Sequence, residues 1–478
     1  MKSPLSCKTC RTRKKKCDRG FPICHYCLRI HAQCSYQFDQ PYGTASKPAG
    51  SVSPVVTNSP SWLSVPAIIN FLDHNTLEKA SPEAPARIVV GPELRRFVFD
   101  DQPLAQHIET YLNTVNRWLP FVRRSSLEKW ASAAASQFNG EEVLLLACMK
   151  NLVLAPPGSD PATKQYLTIK SAFIGAELSG PVTVAVVQAY LLLLLYEFGH
   201  GIYPGAYTTL GTCIRYLVVL GIDGTSCPSY QTDDWINLET ERRLWWVVFA
   251  MERAIALGCP RRPLSMKEPH ENTELPSDET SWKQEAPPSE PNLTLASPAL
   301  SNMGNLRLLA HASYLLGRVL QHVSGEMLPE KDKTEQLHRT ICALINVLEV
   351  ENQLGIVSVG VPRSILNSAV FVLYSSTGPL QLGLSSITQD PRYLAASNFL
   401  DRVRTYFKGE LGSLDAAAPF LLHWGFQTFR LYHQLYEQRK TIDDIKPLKE
   451  LGETFHELDK RWKVAGVYAS ILNMYQFI

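Results

Sequence analysis

The sequence is short of the patterns that carry most enzyme chemistry. It has no G-x-x-x-x-G-K-[ST] phosphate loop, no H-E-x-x-H and no G-x-S-x-G. Gly199, Gly201 and Gly205 give G-x-G-x-x-x-G, one residue off the dinucleotide fingerprint. They follow a helical pattern rather than a strand, so a helix-ending turn explains them better. These absences leave no residues to support catalysis, and the chain is expected not to be an enzyme. Long apolar runs are also missing. The most apolar stretch, Val182 to Tyr196, contains Gln188 and meets Glu197, Gly199 and His200. It falls short of the roughly 20 residues a bilayer helix needs, so a helix buried on all sides is expected and no membrane partner. Period-two alternation is scarce, which leaves little room for strands. A large overall charge is absent too, the formal net charge being +2.

That balance hides an asymmetry. Residues 1–34 carry nine Lys/Arg against one acid, Asp18, or +8, and the remaining residues carry 38 against 44, or −6. A basic head on a mildly acidic body suits a nucleic-acid reader joined to a regulatory body.

The head is built on cysteine. Six of the eleven cysteines lie in CKTCRTRKKKCDRGFPICHYCLRIHAQC, Cys7 to Cys34. The spacing C-x2-C-x6-C occurs twice, so Cys7, Cys10 and Cys17 recur as Cys24, Cys27 and Cys34. Two tetrahedral zinc ions need eight ligand bonds. Six thiolates supply them only if two bridge both metals, and the repeat requires the bridging positions to be equivalent in each half. A single-zinc ribbon on Cys7, Cys10, Cys24 and Cys27 would orphan Cys17 and Cys34. A disulfide framework would need a secreted chain, and no signal-peptide pattern is seen. His25 and His31 are expected on the surface, because six cysteines already suffice. The first half carries Lys8, Arg11, Arg13, Lys14, Lys15 and Lys16, whereas the second has one cation, Arg29, between Cys24 and Cys34. The run RTRKKK also reads as a nuclear localisation signal.

This stretch resembles the fungal Zn2Cys6 binuclear-cluster DNA-binding domain, in all six ligand positions, the basic run, the Lys16-Cys17-Asp18 step and Pro22. The resemblance implies two zinc ions per chain. One would be held by Cys7, Cys10, Cys17 and Cys24, the other by Cys7, Cys24, Cys27 and Cys34, with Cys7 and Cys24 bridging. It implies a short helix after each C-x2-C pair, the first entering the major groove of double-stranded DNA at a CGG-like triplet. Arg13 and Lys14 stand at the family's base-reading positions, and both residue types donate well to guanine O6 and N7. Arg11, Lys15 and Lys16 would mainly hold phosphates. A nuclear regulator of RNA polymerase II genes, working with the transcription machinery or co-regulators, is what the family implies. The competing class is a zinc-tethered interaction scaffold without base-specific contacts.

Downstream, residues 39–92 read as a disordered Pro/Ser-rich linker with eight prolines and no sustained heptads. Ile68, Ile69, Phe71 and Leu72 could make one amphipathic turn. From 93 to 478 the pattern is helical. Leu104, Ile108, Tyr111, Leu112, Val115 and Leu119 fall on one face ended by Pro120. Leu210, Ile214, Leu217 and Val218 make another, stopped by Gly221. Leu337, Ile341, Leu344, Ile345 and Leu348 follow the same rule, as do Val464, Val467, Tyr468, Ile471, Leu472 and Tyr475. The expected fold class is therefore all-α: a small binuclear zinc-cluster domain (1–38), a flexible linker, and a large helical regulatory domain through which the chain could form a homodimer. Residues 260–300, with eight prolines among acids and serines, read as an exposed mobile loop. Cys148, Cys213, Cys227, Cys259 and Cys342 read as single buried thiols.

The body resembles the fungal-specific transcription factor domain. Tyr111 to Leu127, Leu210 to Asp223 and above all ETERRLWWVVFAMERAIALGCPRRPLS, Glu239 to Ser265, carry the likeness. Glu252 stands where Asp is usual, and Cys259–Arg261 interrupt the Gly-Arg-Pro step. Glu239 and Arg243, four apart on a helix, read as a modest pair within a packed internal charge network, with Trp245 and Trp246 as buried rings.

Overall fold

The computed structural model describes residues 6–34 except 21, 22, 31 and 33. It then describes 88–474 except 101–102, 180–181, 225–233, 289–291, 299–302, 326–329, 354–359, 376–386 and 408–416. The chain divides into two units, Met1–Ser59 and Pro60–Ile478.

The first unit contains two five-residue helices, α1 (Lys8–Thr12) and α2 (His25–Arg29). Five residues are too few for an isolated helix in water, so each depends on what closes its ends. Each starts on a cysteine N-cap and ends on the same turn. Lys15 N–H bonds to Cys10 O at 3.0 Å, and Ala32 N–H to Cys27 O at 3.0 Å. These are six-to-one closures of the Schellman type. The 17-residue sequence repeat is thus a structural repeat. The interior of this unit is sulfur: Cys7, Cys10, Cys24 and Cys27 are fully buried, with Tyr26 packed against them.

The second unit is helical, and among its described residues no strand forms beyond an isolated Glu274–Thr294 bridge. Its helices are α3 (Pro92–Phe99), α4 (Leu104–Asn113), α5 (Val115–Trp118), α6 (Arg124–Ala131), α7 (Gly140–Val153), α8 (Lys164–Ser179) and α9 (Val184–His200). They continue as α10 (Gly205–Val219), α11 (Trp235–Ala256), α12 (Glu279–Gln284), α13 (Asn305–Ser324), α14 (Lys331–Gln353) and α15 (Gly360–Leu373). The last are α16 (Pro391–Phe407), α17 (Leu421–Arg439), α18 (Ile442–Asp459) and α19 (Lys463–Met474). Helix α7 opens on a capping box, with Asn139 and Glu142 each bonding the other's backbone N–H at 2.9 Å. Helix α9 is the apolar run of the sequence. Thr183 caps its start, Gly201 at φ 68° caps its end, and it is buried nearly throughout. It packs against α7 and α10, while α13 packs against α11 and α15, and α17 against α15, α16 and α18. The sequence-derived all-α architecture is found, in a single continuous hydrophobic core running from Ile88 to Leu472. No helix among the described residues is long and apolar enough to cross a membrane.

Several expectations need correction. The segment 260–300 is not an exposed mobile loop. Thr273 to Ser277 are buried, Leu275 completely, and Trp282 is 4% exposed. Leu275 N–H bonds to Leu293 O at 2.8 Å and Leu295 N–H to Thr273 O at 2.9 Å, folding the segment onto itself. Proline and acid content misled here because Glu268, Glu274 and Glu279 pair with Arg253, Arg242 and Arg243 of α11, which pins the segment. Arg243 of α11 is fully buried. Its Nε donates to Glu239 at 2.8 Å, its Nη1 to Pro120 O at 3.0 Å and its Nη2 to Ser277 O at 2.9 Å, and it stacks over the Trp282 ring at 4.3 Å. Glu239 also accepts from Ser277 N–H at 2.8 Å, and Trp246 Nε1 donates to Glu274 O at 2.9 Å. The Glu239–Arg243 pair is therefore the hub of the internal charge network expected from the sequence, fully buried and stronger than a modest pair.

The linker ends earlier than 92, since Ile88 and Val90 are buried and Pro92 opens α3. The expected amphipathic turn at 68–72 lies outside the described residues. The helix expected from Leu104 to Leu119 breaks at Thr114, whose hydroxyl bonds to Thr110 O at 2.6 Å, although its apolar face continues. Val218 and Val467 are exposed rather than facing the core. Of the scattered cysteines, Cys148 and Cys213 are buried but Cys259 and Cys342 are exposed, and Cys227 lies outside the described residues.

Candidate metal centre and nucleic-acid interface

The cysteine spacing works through helix capping. In a C-x2-C pair the first cysteine is the N-cap and the second is the third helical residue. Cys7 Sγ accepts Cys10 N–H at 3.4 Å, and Cys24 Sγ accepts Cys27 N–H at 3.5 Å. Each pair therefore presents both sulfurs at the same helix end, with backbone donors directed at them. Loops bring in the third cysteines: Cys34 Sγ accepts Cys24 N–H at 3.4 Å. Asp18 Oδ1 accepts His25 N–H at 2.9 Å, fixing the loop after Cys17 to the start of α2.

The six sulfurs fall into two tetrads, Cys7/Cys10/Cys17/Cys24 and Cys7/Cys24/Cys27/Cys34, within each of which the ligand atoms lie within 4.8 Å of one another. Cys7 and Cys24 belong to both. Two thiolates about 2.3 Å from one tetrahedral zinc lie about 3.8 Å apart. Here Cys7–Cys24 is 3.7 Å, Cys10–Cys24 3.6 Å and Cys7–Cys27 3.6 Å. These separations are far beyond a disulfide and fit shared metal ligation. Burial, together with hydrogen bonds from neighbouring thiols, pushes the Cys10 thiol well up and Cys27 up to about 12. A divalent cation at the centre is the charge that would reverse this and hold the sulfurs as thiolates. The donor set therefore fits zinc.

The cationic residues lie along α1 and its exit, and Arg11, Arg13, Lys14, Lys15 and Lys16 are all exposed. Arg11 sits on α1 and donates to Ser6 O at 3.1 Å. Arg13 is the C-cap. Lys14 occupies the left-handed region at φ 49°, where glycine is usual, and its N–H bonds to Arg11 O at 3.2 Å. His25 is exposed and belongs to neither tetrad, whereas His31 lies outside the described residues. Sequence reasoning missed the cap made by Asp18. Its signal was an acid standing alone in a basic stretch.

Comparison with known proteins agrees with this geometry. Residues 5–42 match the fungal Zn(2)-Cys(6) binuclear cluster domain, and residues 108–355, more than half of the chain, match the fungal specific transcription factor domain. The chain belongs to this fungal transcription factor family. Zinc binding follows from family membership, as do DNA binding, a nuclear setting and work with the transcription machinery, and the family is not one of enzymes. Transcription factor BOA15 of Botryotinia fuckeliana is 28% identical over 165 residues, covering 33% of this chain and 89% of that protein. The pigment biosynthesis transcriptional activator pigB of Monascus ruber is 24% identical over 59% of this chain and 57% of its own length. The tropolone cluster transcription factor tropK of Talaromyces stipitatus is 20% identical over 53% of this chain and 54% of its own length. The chain thus spans little more than half the length of the latter two.

The other sequence motif is resolved as structure. Gly201 is the left-handed cap of α9, and Gly199 is small because a Cβ there would lie 2.1 Å from the Trp462 ring. Neither forms a nucleotide cradle.

Proposed function

We propose that the protein is a sequence-specific transcription regulator that holds two zinc ions on six thiolates and reads a CGG-like triplet. Cys7 and Cys24 are the bridging ligands, and Cys10, Cys17, Cys27 and Cys34 are the terminal ones. The observation that carries this reading is the pair of sulfur tetrads sharing Cys7 and Cys24. The metal holds α1 rigid and offers its exposed end to the major groove. Arg13 and Lys14 donate to base edges there, while Arg11, Lys15 and Lys16 neutralise phosphates. The left-handed backbone at Lys14 supports this division. An L-residue pays about 1 kcal/mol for that conformation, which is tolerated where its side chain has a task.

Two relatives, a pigment biosynthesis transcriptional activator and a tropolone cluster transcription factor, favour target genes of a biosynthetic cluster. One small module on one triplet gives weak binding, so pairing of two chains through the helical body supplies the second contact. Selection of bound duplexes from a random pool tests the reading. Enrichment of a CGG-like triplet, singly or in pairs of varied spacing, is expected. Binding without enrichment would instead favour the interaction scaffold.

A further inference from the structure

The helical body contains a cationic site unrelated to the zinc module. Arg363 lies in the first turn of α15 and is 8% exposed. Its Nη1 donates to Glu349 of α14. Its Nε and Nη2 are buried without any partner. Those two N–H groups lie along one edge of the guanidinium, the edge that grips a carboxylate or phosphate with two parallel bonds. A second guanidinium stands beside it. Arg402 of α16 reaches the start of α15, where a Cβ on Gly360 would lie 3.2 Å from its Nη2. Burial and the neighbouring Arg363 push Arg402 down to about 10, and Glu349 only partly opposes them.

The charges do not balance. Two guanidiniums and the positive end of a 14-residue helix converge, and among the described residues the one carboxylate with them, Glu349, has its side chain 47% exposed. Cations ordinarily avoid a helix N-terminus, and an unpaired buried charge is costly. The residues just before α15, Leu354 to Val359, contain no acid.

We propose that Arg363 and Arg402 bind a small oxyanion, the carboxylate or phosphate group of a low-molecular-weight ligand, at the N-terminus of α15. The free edge of Arg363 takes two of its oxygens, Arg402 adds charge, and the helix start adds backbone donors. The site joins α14, α15 and α16, so occupancy ties these three helices together. It gives the body a means of sensing a metabolite that is independent of DNA reading.

The test uses full-length, zinc-loaded protein. Thermal unfolding and titration calorimetry are run with inorganic phosphate and separately with succinate, against sodium chloride at matched ionic strength. Saturable stabilisation beyond chloride is expected, and whichever probe produces it identifies the oxyanion class. Arg402→Gln should weaken that dissociation constant about tenfold or more, as loss of a charge-assisted contact does. Glu349→Gln removes the competing carboxylate at a half-exposed position and should tighten it. No response beyond chloride, an unchanged constant in Arg402→Gln, or failure of Glu349→Gln to tighten binding would each overturn the proposal. DNA binding measured on the same variants keeps this outcome separate from the zinc-module reading.

Discussion

The two units solve the same problem with different chemistry. The helical body buries a continuous core in which Trp246, Trp424, Trp462 and Phe249 are nearly or wholly hidden. Among its described residues the zinc module hides four cysteines and almost nothing apolar. Apolar burial contributes roughly 25 cal/mol per Å², so the body is stabilised by packing. The module is too small for that and must rely on metal–sulfur bonds. The difference teaches where function can be varied. Surface residues on a metal-held unit are free of packing duty, so six exposed positions from Arg11 to Lys16 can be given over to contacts with DNA.

The contrast can be broken most sharply by removing metal. Structural zinc contributes about 10–16 kcal/mol of apparent binding free energy that is also folding free energy. A chelator should therefore unfold residues 6–34, seen as collapse of their amide dispersion in NMR. The helical circular dichroism of the body should persist, and simultaneous loss of both would refute the division. Next in size is the buried hub. Glu239→Ala removes the close carboxylate partner of the buried Arg243 and leaves it only Glu279 at 3.7 Å among the described residues, and should cost about 3–5 kcal/mol in unfolding of the body. Zinc content should stay unchanged.

Within the module the effects are smaller. Lys14→Ala should cost about 1–3 kcal/mol on the preferred triplet and flatten discrimination. Lys15→Ala or Lys16→Ala should weaken all sequences alike and reduce the salt slope by about one unit. Equal losses on specific and random DNA for Lys14→Ala would show the reader to be misassigned.

The most gradual effect belongs to pH. Burial, then the Arg461 and Lys463 charges, holds His200 down at about 3. The unfolded chain takes up this proton near pH 6.5 and the folded body does not. The stability contribution is thus complete above about pH 6.5 and declines as pH falls towards 3, by at most about 1.4 kcal/mol per unit. His200→Gln should flatten that slope in denaturant titrations between pH 6 and 4.

The zinc module was legible because ligand spacing is a local code. Cys7 and Cys10 share a helix end whatever the rest of the chain does, and the repeat supplied the second half. Helix existence was legible from periodicity, as at Leu337 to Leu348. The failures came where long-range contacts decide. The segment around Thr273 to Ser277 has loop composition but is ordered by Arg243 and Trp246, which lie more than 25 residues away in the chain. Glu239 and Arg243 were legible as part of an internal charge network, but their partners Pro120 and Ser277 were not, because spacing within one helix carries no information on distant contacts. Thr114 breaks a helix whose apolar pattern is uninterrupted. Arg363 and Arg402 carry no motif, and only the folded arrangement brings two distant arginines to one helix start.

The central claim is that six thiolates share two metals through Cys7 and Cys24. Native mass spectrometry of the zinc-loaded full-length protein tests it most directly. The account predicts two zinc ions per chain, with Cys7→Ser or Cys24→Ser disturbing both sites at once. One zinc per chain, or loss of a single zinc in both variants, would contradict it.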